Sequence, residues 1–277
     1  MTSASTAQAA RLAALVHCAY PDFWPETTRG LLIHYADWTT AQKTRYLTDN
    51  TSAARRHLLR TCGYGVPNTQ HVLNSVRNRV CLIAQETLQP YRLDGSLGKM
   101  NELCVFQLPW PREMLSALAE QAVQLRVTLS YYVEPSPAKR GWTSRYRYAS
   151  HGLRFDLRRQ AESAEDFGKR INLAMRGEDE VIDAPDDSGW FFGDKLRRFG
   201  SVHSDRWTGM AIDLASRDRI AVYPVVGWWR QRVQRGRCEA TARFSLVISL
   251  QANDVDVDLY TAIQAQLEIP IQPEIAL

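Results

Sequence analysis

The chain has 277 residues, of which 45% are hydrophobic and 23% charged, so it can bury a sizeable core in one large domain or two modest ones. Its formal net charge of +4 is small for this length and is spread along the chain, which argues against nucleic acid or an anionic membrane as a partner. The five cysteines form no CxxC pair, and no run of about 18 apolar residues occurs. These features favour a reducing, cytoplasmic setting and argue against a disulfide framework, a zinc knuckle, secretion and a membrane span.

The N-terminal stretch predicts a helix, a turn and a second helix. Residues 3 to about 19 carry Ala, Leu and Val at near-helical spacing after several hydroxylated residues that could cap the helix, and Pro21 ends it. A second helix is predicted after Pro25, with Glu26 in its first turn, where an acidic side chain suits the helix dipole. Two glycines and a proline in "CGYGVPN", residues 62–68, then mark a sharp loop.

Beyond residue 80 the sequence favours β-structure. Several segments are rich in β-branched and aromatic residues, alternate polar with apolar, and are bounded by Gly, Pro or Asp. They are "VCLIAQETL", "LCVFQLPW", "VQLRVTLSYYVEP", "RYRYASHGLRFDLRR", "RIAVYPVVGWWRQRV" and "ATARFSLVISLQ". The pattern predicts an antiparallel sandwich or barrel that is interrupted by one clear helix at "AESAEDFGKRINLAM" and a short one at "PREMLSALAEQA".

The opening stretch resembles a known protease motif. "TSASTAQAARLAALVHCAYPDFWPETTRGLL" is similar to the segment of subtilisin-like serine proteases that begins Gly-Thr-Ser and carries the catalytic serine. In that family a Pro-containing turn, a second helix and a "GYG" or "GWG" segment follow, and this chain has "GYGVPN" in the expected order. The family's glycine is replaced by Met1, which suggests an initiator codon at the point where a longer protein was cut.

The resemblance implies a role for one residue. Ser3 would be the nucleophile, and its own backbone N–H would be one donor of the oxyanion hole, because free N–H groups at a helix N-terminus can receive the negative oxygen of a tetrahedral intermediate. The plain alternative is that Ser3 is an ordinary helix cap. The downstream pattern favours the nucleophile.

The other catalytic groups of the family are missing from this sequence. In subtilisin the Asp and His precede the Ser, and the asparagine of the oxyanion hole is also upstream. His17 lies roughly 21 Å further along the same predicted helix, too far to act as the base. We therefore expect the isolated chain to hydrolyse hardly any peptide substrate.

Three further clusters are candidate sites. The acidic stretch "RGEDEVIDAPDDSG", residues 176–189, could hold calcium, but its spacing fits no EF-hand and favours a solvated loop. "GWWRQRVQRGR", residues 227–237, is interpreted as a strand with one tryptophan in the core and arginines in solvent, not as a base-stacking surface. "NDVDVDLY", residues 253–260, is interpreted as a charged edge strand. No metal ligands or cofactor are assigned.

Two histidines beside serines, His151 and His203, are interpreted as polar turn residues. A self-sufficient hydrolase site at Ser150–His151 or at His203–Ser204 would overturn the assignment of Ser3.

The sequence thus predicts an α+β chain in two parts. Residues 1–80 would be the helical, C-terminal remnant of a subtilisin-like α/β domain, and residues 81–277 a mostly antiparallel β-sandwich-like accessory domain, similar to that of cytoplasmic bacterial subtilisin-like proteases whose genes often neighbour an ATPase. The predicted partners are a peptide or protein substrate in the intact enzyme, the missing N-terminal protease segment and an ATPase. The alternative function is a non-catalytic, protein-binding β-sandwich module. We also expect exposed apolar surface over the first 60 or so residues.

Overall fold

The computed structural model describes residues 2–74, 81–136, 148–176, 187–252 and 274–276. Within them, helices and antiparallel strands combine into an α+β fold, as predicted.

The first described segment is mainly helical. Its helices are α1 (Thr2–Ala19), α2 (Pro25–His34), α3 (Thr40–Tyr46), α4 (Ser52–Cys62) and α5 (Thr69–Asn74), and a small ladder pairs β1 (Ala36–Asp37) with β2 (Val66–Pro67). The predicted helix, turn and helix are confirmed. Pro25 occupies the first position of α2, where its missing N–H costs nothing, and Glu26 follows it in the first turn.

The later segments supply the strands. They are β3 (Cys81–Leu88), β4 (Tyr91–Asp94), β5 (Leu97–Met100), β6 (Leu103–Gln107), β7 (Ala122–Tyr131), β8 (Gly152–Leu157), β9 (Val202–Met210), β10 (Arg219–Val225), β11 (Ala242–Ala252) and β12 (Glu274–Ala276). Between them lie α6 (Arg112–Ala117), α7 (Ala164–Arg176), α8 (Gly193–Arg197), α9 (Ala211–Ser216) and α10 (Trp228–Gln231). The helices predicted at residues 161–175 and 111–122 are therefore confirmed as α7 and α6.

Two four-stranded antiparallel sheets form a sandwich. The first sheet has the order β3-β11-β7-β9 and the second β12-β6-β10-β8. Apolar side chains from both sheets belong to one buried cluster, which contains Leu125, Val127 and Leu129 of β7 together with Phe155 of β8 and Val222 of β10. The alternate residues of β7 that enter this cluster share one face of the strand, so the core of the fold lies between the sheets.

Helices cover the outer face of each sheet. The buried side of α7, with Phe167, Ile171 and Met175, packs on Ala221 and Tyr223 of β10, a central strand of the second sheet. On the opposite side of the sandwich, α2 lies across β11 and β7 of the first sheet. The molecule is therefore layered, with the two sheets between α2 and α7.

The structure corrects two sequence interpretations. The segment from Trp228 is not a strand: it forms α10 and a 3-10 turn, Val233–Arg235, and both Trp228 and Trp229 are buried. Their indole N–H groups donate to the backbone and side-chain oxygens of Glu134, which is why both rings can be buried together. His203 is not in a turn but in strand β9.

Two other interpretations fall largely or wholly on residues that the structure does not describe. The predicted edge strand at residues 253–260 lies outside the described residues, and so do residues 177–186 of the acidic stretch. The proposed division of the chain at residue 80 stays a prediction.

Candidate active site

Ser3 lies in the first turn of α1 and is exposed. The first four N–H groups of an α-helix have no partner within the helix, and the N–H of Ser3 is one of them. A negatively charged oxygen at this helix end would also be favoured by the helix dipole. The role of Ser3 as nucleophile and oxyanion donor stays a prediction.

The half of α1 that carries Ser3 makes little contact with the rest of the fold. Every residue from Thr2 to Arg11 is exposed. Only Leu12 and Val16 of α1 are buried, in a cluster that includes Leu31 and Val247. α1 is thus held by its second half, and its first half projects from the body of the protein.

The expectation of exposed apolar surface over the first 60 or so residues is wrong: no large hydrophobic side chain of residues 2–60 is exposed, and the exposed half of α1 carries small side chains. Glu26, Thr27, Gly30, Leu31 and His34 of α2 are all buried. The first sheet provides partners for these side chains.

No histidine or aspartate forms a hydrogen bond with Ser3 among the residues that the structure describes. His17 is exposed near the other end of α1, and His57 is exposed on α4. His71 packs edge-on against Tyr35, 6.2 Å between ring centroids. The remaining three histidines are buried and engaged elsewhere.

His34 is enclosed between α2 and the first sheet. Its Nδ1 lies 2.9 Å from the hydroxyl oxygen of Thr128, and its Nε2 lies 2.8 Å from that of Ser249. Burial, followed by the positive charges of Arg126 and Arg206, holds the pKa of His34 well below its ordinary value of 6.5. In the described structure both ring nitrogens are therefore engaged with these hydroxyls and not with Ser3.

The pair Ser150 and His151 is hydrogen-bonded but buried. The hydroxyl oxygen of Ser150 lies 3.0 Å from Nδ1 of His151, and it also accepts a hydrogen bond from the backbone N–H of Glu134. The exposed fractions are 0% for Ser150 and 2% for His151. A serine without exposure to solvent cannot attack a peptide substrate in this conformation, so the pair does not form an open hydrolase site.

His203 and Ser204 do not form a catalytic pair because adjacent residues of a strand face opposite sides. The Nε2 atom of His203 lies 3.0 Å from the hydroxyl of Tyr131, and its Nδ1 contacts the backbone oxygen of Arg197. The hydroxyl of Ser204 instead lies 2.7 Å from that of Thr128. Burial lowers the pKa of both His151 and His203 to about 4.

A small cavity lies beside His203. It has a volume of about 10 Å³ and is lined by Arg154, Phe155, Asp194, Arg197, Arg198 and Tyr223 together with His203. This volume suits one water molecule, not a peptide.

The described part of the acidic stretch is already occupied by protein contacts. Asp187 accepts from the guanidinium of Arg217, 2.5 Å from Nη1, and from the indole N–H of Trp190. No group of three or more His, Cys, Asp or Glu side chains is arranged to hold a metal among the residues that the structure describes. In the same residues, no helix is both long and apolar enough to cross a membrane.

The polar contacts beneath α2 were not predicted from the sequence. Arg29 donates from Nε to the hydroxyl of Ser130, 3.1 Å, and from Nη2 to the backbone oxygen of Ser201, 3.0 Å. The alternation of polar residues along β7, which places Arg126, Thr128 and Ser130 on one face, was the available signal.

Comparison with known proteins supports the interpretation of the N-terminal segment. Residues 1–65 match the model of the subtilase family, the S8 peptidases. No curated protein and no solved structure matches the chain. The segment that matches the subtilase model contains α1, α2, α3 and α4.

Proposed function

We propose that Ser3 is the nucleophile of a subtilisin-like serine endopeptidase whose histidine and aspartate are supplied by another polypeptide segment. The observation that carries the proposal is the projecting first half of α1: the subtilase match covers it, and Ser3 is exposed at its start. In the assembled site the Ser3 oxygen would attack a peptide carbonyl, the backbone N–H of Ser3 would stabilise the oxyanion, and water would hydrolyse the acyl-enzyme.

The isolated chain should be inactive. A serine hydroxyl is a weak nucleophile without a general base, and no histidine of the described residues forms a hydrogen bond with Ser3. In subtilisin, loss of the histidine alone lowers turnover by about a millionfold. The proposed partners are accordingly a peptide or protein substrate and the segment that carries the histidine and aspartate.

Serine-directed fluorophosphonate labelling tests this function. The isolated chain should label barely above background. Co-expression with a subtilase segment carrying the Asp and His motifs, read from the DNA that precedes Met1, should produce labelling that Ser3→Ala abolishes and Ser5→Ala, a matched change two residues along the same helix, retains. Strong labelling of Ser150 or Ser204 in the isolated chain would contradict the proposal.

The same experiment addresses the binding-module alternative. The specific observation in its favour is that the sandwich has its own buried core between two sheets, independent of Ser3. Stable association with the added segment but no labelling at Ser3 would favour a non-catalytic binding role.

The state of the cysteines indicates the kind of compartment in which the chain works. All five are free thiols in the structure. This supports the proposal that the chain works in a reducing compartment such as the cytoplasm.

A further inference from the structure

The contact between α2 and the first sheet is unusually polar for a buried interface. Leu31 packs near Val247, but the other buried side chains of α2 include Glu26, Thr27 and His34. Glu26 accepts from the guanidinium of Arg243, 3.1 Å away. A helix held in this way depends on the charge state of its contacts as well as on apolar area.

His34 is the histidine of this interface, and the ordinary pKa of histidine, 6.5, lies near neutral pH. Its exposed fraction is 1%, and each ring nitrogen lies within hydrogen-bond distance of a hydroxyl, Thr128 on β7 and Ser249 on β11. A hydroxyl can donate or accept, so the neutral ring is fully satisfied by these two partners.

The charged surroundings of His34 disfavour a proton on the ring. Arg126 of β7 donates to the backbone oxygens of Ile33 and Ala36, at 3.0 and 2.8 Å, next to His34. Arg206 of β9 adds a second positive charge, and it is paired with Asp37 of β1 at 2.9 Å. Other titratable or charged groups on the elements packed around α2 are Glu26 and Arg29 on α2 itself, Arg243 on β11, Cys81 and Glu86 on β3, His203 and Asp205 on β9, His71 on α5, and Arg11, His17 and Cys18 on α1.

We propose that His34 is a pH-sensitive latch: the uncharged ring helps to hold α2 on β7 and β11, and proton uptake by the ring in mildly acidic solution weakens this docking. In the closed state a proton would place a third positive charge beside Arg126 and Arg206 in a buried site. In the open state the ring is solvated and takes the proton freely. Opening of α2 would also remove one partner of α1, which packs on α5 as well.

The size of the effect follows from linkage. The closed state has the lowered pKa and the open state the ordinary value of 6.5, so the closed state is favoured fully above pH 6.5. Below pH 6.5 the opening constant should rise about tenfold for each pH unit, until the pKa of the closed state is reached.

Hydrogen exchange of the whole chain, corrected for the pH dependence of intrinsic exchange, tests the latch at pH 7.5, 6.5, 5.5 and 5.0. The ratio of α2 amide protection at each pH to that at pH 7.5 should fall about tenfold per pH unit below 6.5. His34→Gln keeps a donor and an acceptor for the two hydroxyls but does not titrate, so this ratio should stay constant with pH. His57→Gln, at an exposed position of α4, should behave like the unsubstituted chain.

Two results would overturn the latch: a constant ratio in the unsubstituted chain, or the same fall in His34→Gln. If His34→Gln does not dock α2 at any pH, the ring of His34 can be titrated by NMR in the unsubstituted chain. A pKa below 6.5 that coincides with the loss of α2 protection supports the latch, and a pKa of 6.5 or above contradicts it.

Discussion

The helices α1 and α2 are neighbours in sequence and both lie in the segment that matches the subtilase family, yet their surroundings differ. The first half of α1 has small side chains, and all of its residues are exposed. α2 instead places Thr27, Leu31 and His34 against partners in the first sheet or in the cluster beside it. The comparison teaches that burial here depends on complementary side chains from distant parts of the chain and not on membership of the same sequence motif.

The largest effect on α2 should come from Leu31→Ala. Leu31 is fully buried between α1 and Val247, so truncation removes apolar contact and leaves a cavity. We expect a loss of about 2–5 kcal/mol in the free energy of unfolding, measured by urea denaturation. The matched control Leu173→Ala, at an exposed position of α7, should change it by less than about 0.5 kcal/mol. Equal losses for the two variants would contradict the burial of Leu31 as the cause of the destabilisation.

The stability of the sandwich should fall in acid because of His203. Burial lowers its pKa to about 4 in the folded state, against 6.5 when unfolded, so the unfolded state binds the proton first as the pH falls. The contribution is complete above pH 6.5 and is lost towards pH 4, about 3 kcal/mol in all. Urea denaturation at pH 7, 5 and 4 measures it. His203→Gln should reduce the slope, while His17→Gln, at an exposed position of α1, should leave it unchanged.

Arg29→Met should destabilise the docking of α2 by about 2 kcal/mol, because it removes charged hydrogen bonds to Ser130 and to the backbone oxygen of Ser201. Arg11→Met, at an exposed position of α1, is the matched change on the other helix and should have almost no effect. Urea denaturation at pH 7 compares the two. A larger loss for the Arg11 variant would contradict the comparison between α1 and α2.

The smallest effect is expected for Thr27→Val. The hydroxyl of Thr27 donates to Oε1 of Gln85, 2.6 Å away, and valine keeps the shape but not the hydrogen bond. The expected loss is about 1 kcal/mol. Thr6→Val removes an exposed hydroxyl that bonds within α1, to the backbone oxygen of Thr2, and should leave the unfolding free energy within about 0.5 kcal/mol. An unchanged free energy of unfolding for Thr27→Val would show that this contact is not needed for docking.

Local patterns predicted many of the longer elements, because the spacing of apolar residues and the positions of Gly and Pro are local properties of the sequence. The alternation in "VQLRVTLSYY" indicated β7, and the amphipathic spacing around Phe167 and Ile171 indicated α7. Strand β9 was missed because "VHSDRWTGM" is polar and lacks a run of β-branched residues. The segment is a strand because it pairs with β7 along its whole length. The helical turn at Trp228 was missed because its indole group is satisfied by Glu134, 94 residues away in the chain.

Only part of the candidate site could be predicted from the sequence. The motif indicated Ser3, and the structure places it in the first turn of α1, in the exposed half of that helix. The docking of α2 could not be predicted, because Ser130, Thr128 and Ser249 become its partners only when β7 and β11 pair. The burial of His151 and His203 depends on the same tertiary packing and gave no signal in the local sequence.

The most direct measurement is hydrogen exchange of residues 2–11, first in the isolated monomer and then with the segment that carries the subtilase Asp and His motifs. In the isolated chain these amides should exchange at least about a hundredfold faster than those of α2, because no other described element covers them. Addition of the segment should protect them as the protease site assembles around Ser3. Strong, uniform protection through residues 3–40 in the isolated monomer, or no change when the segment binds, would contradict the account.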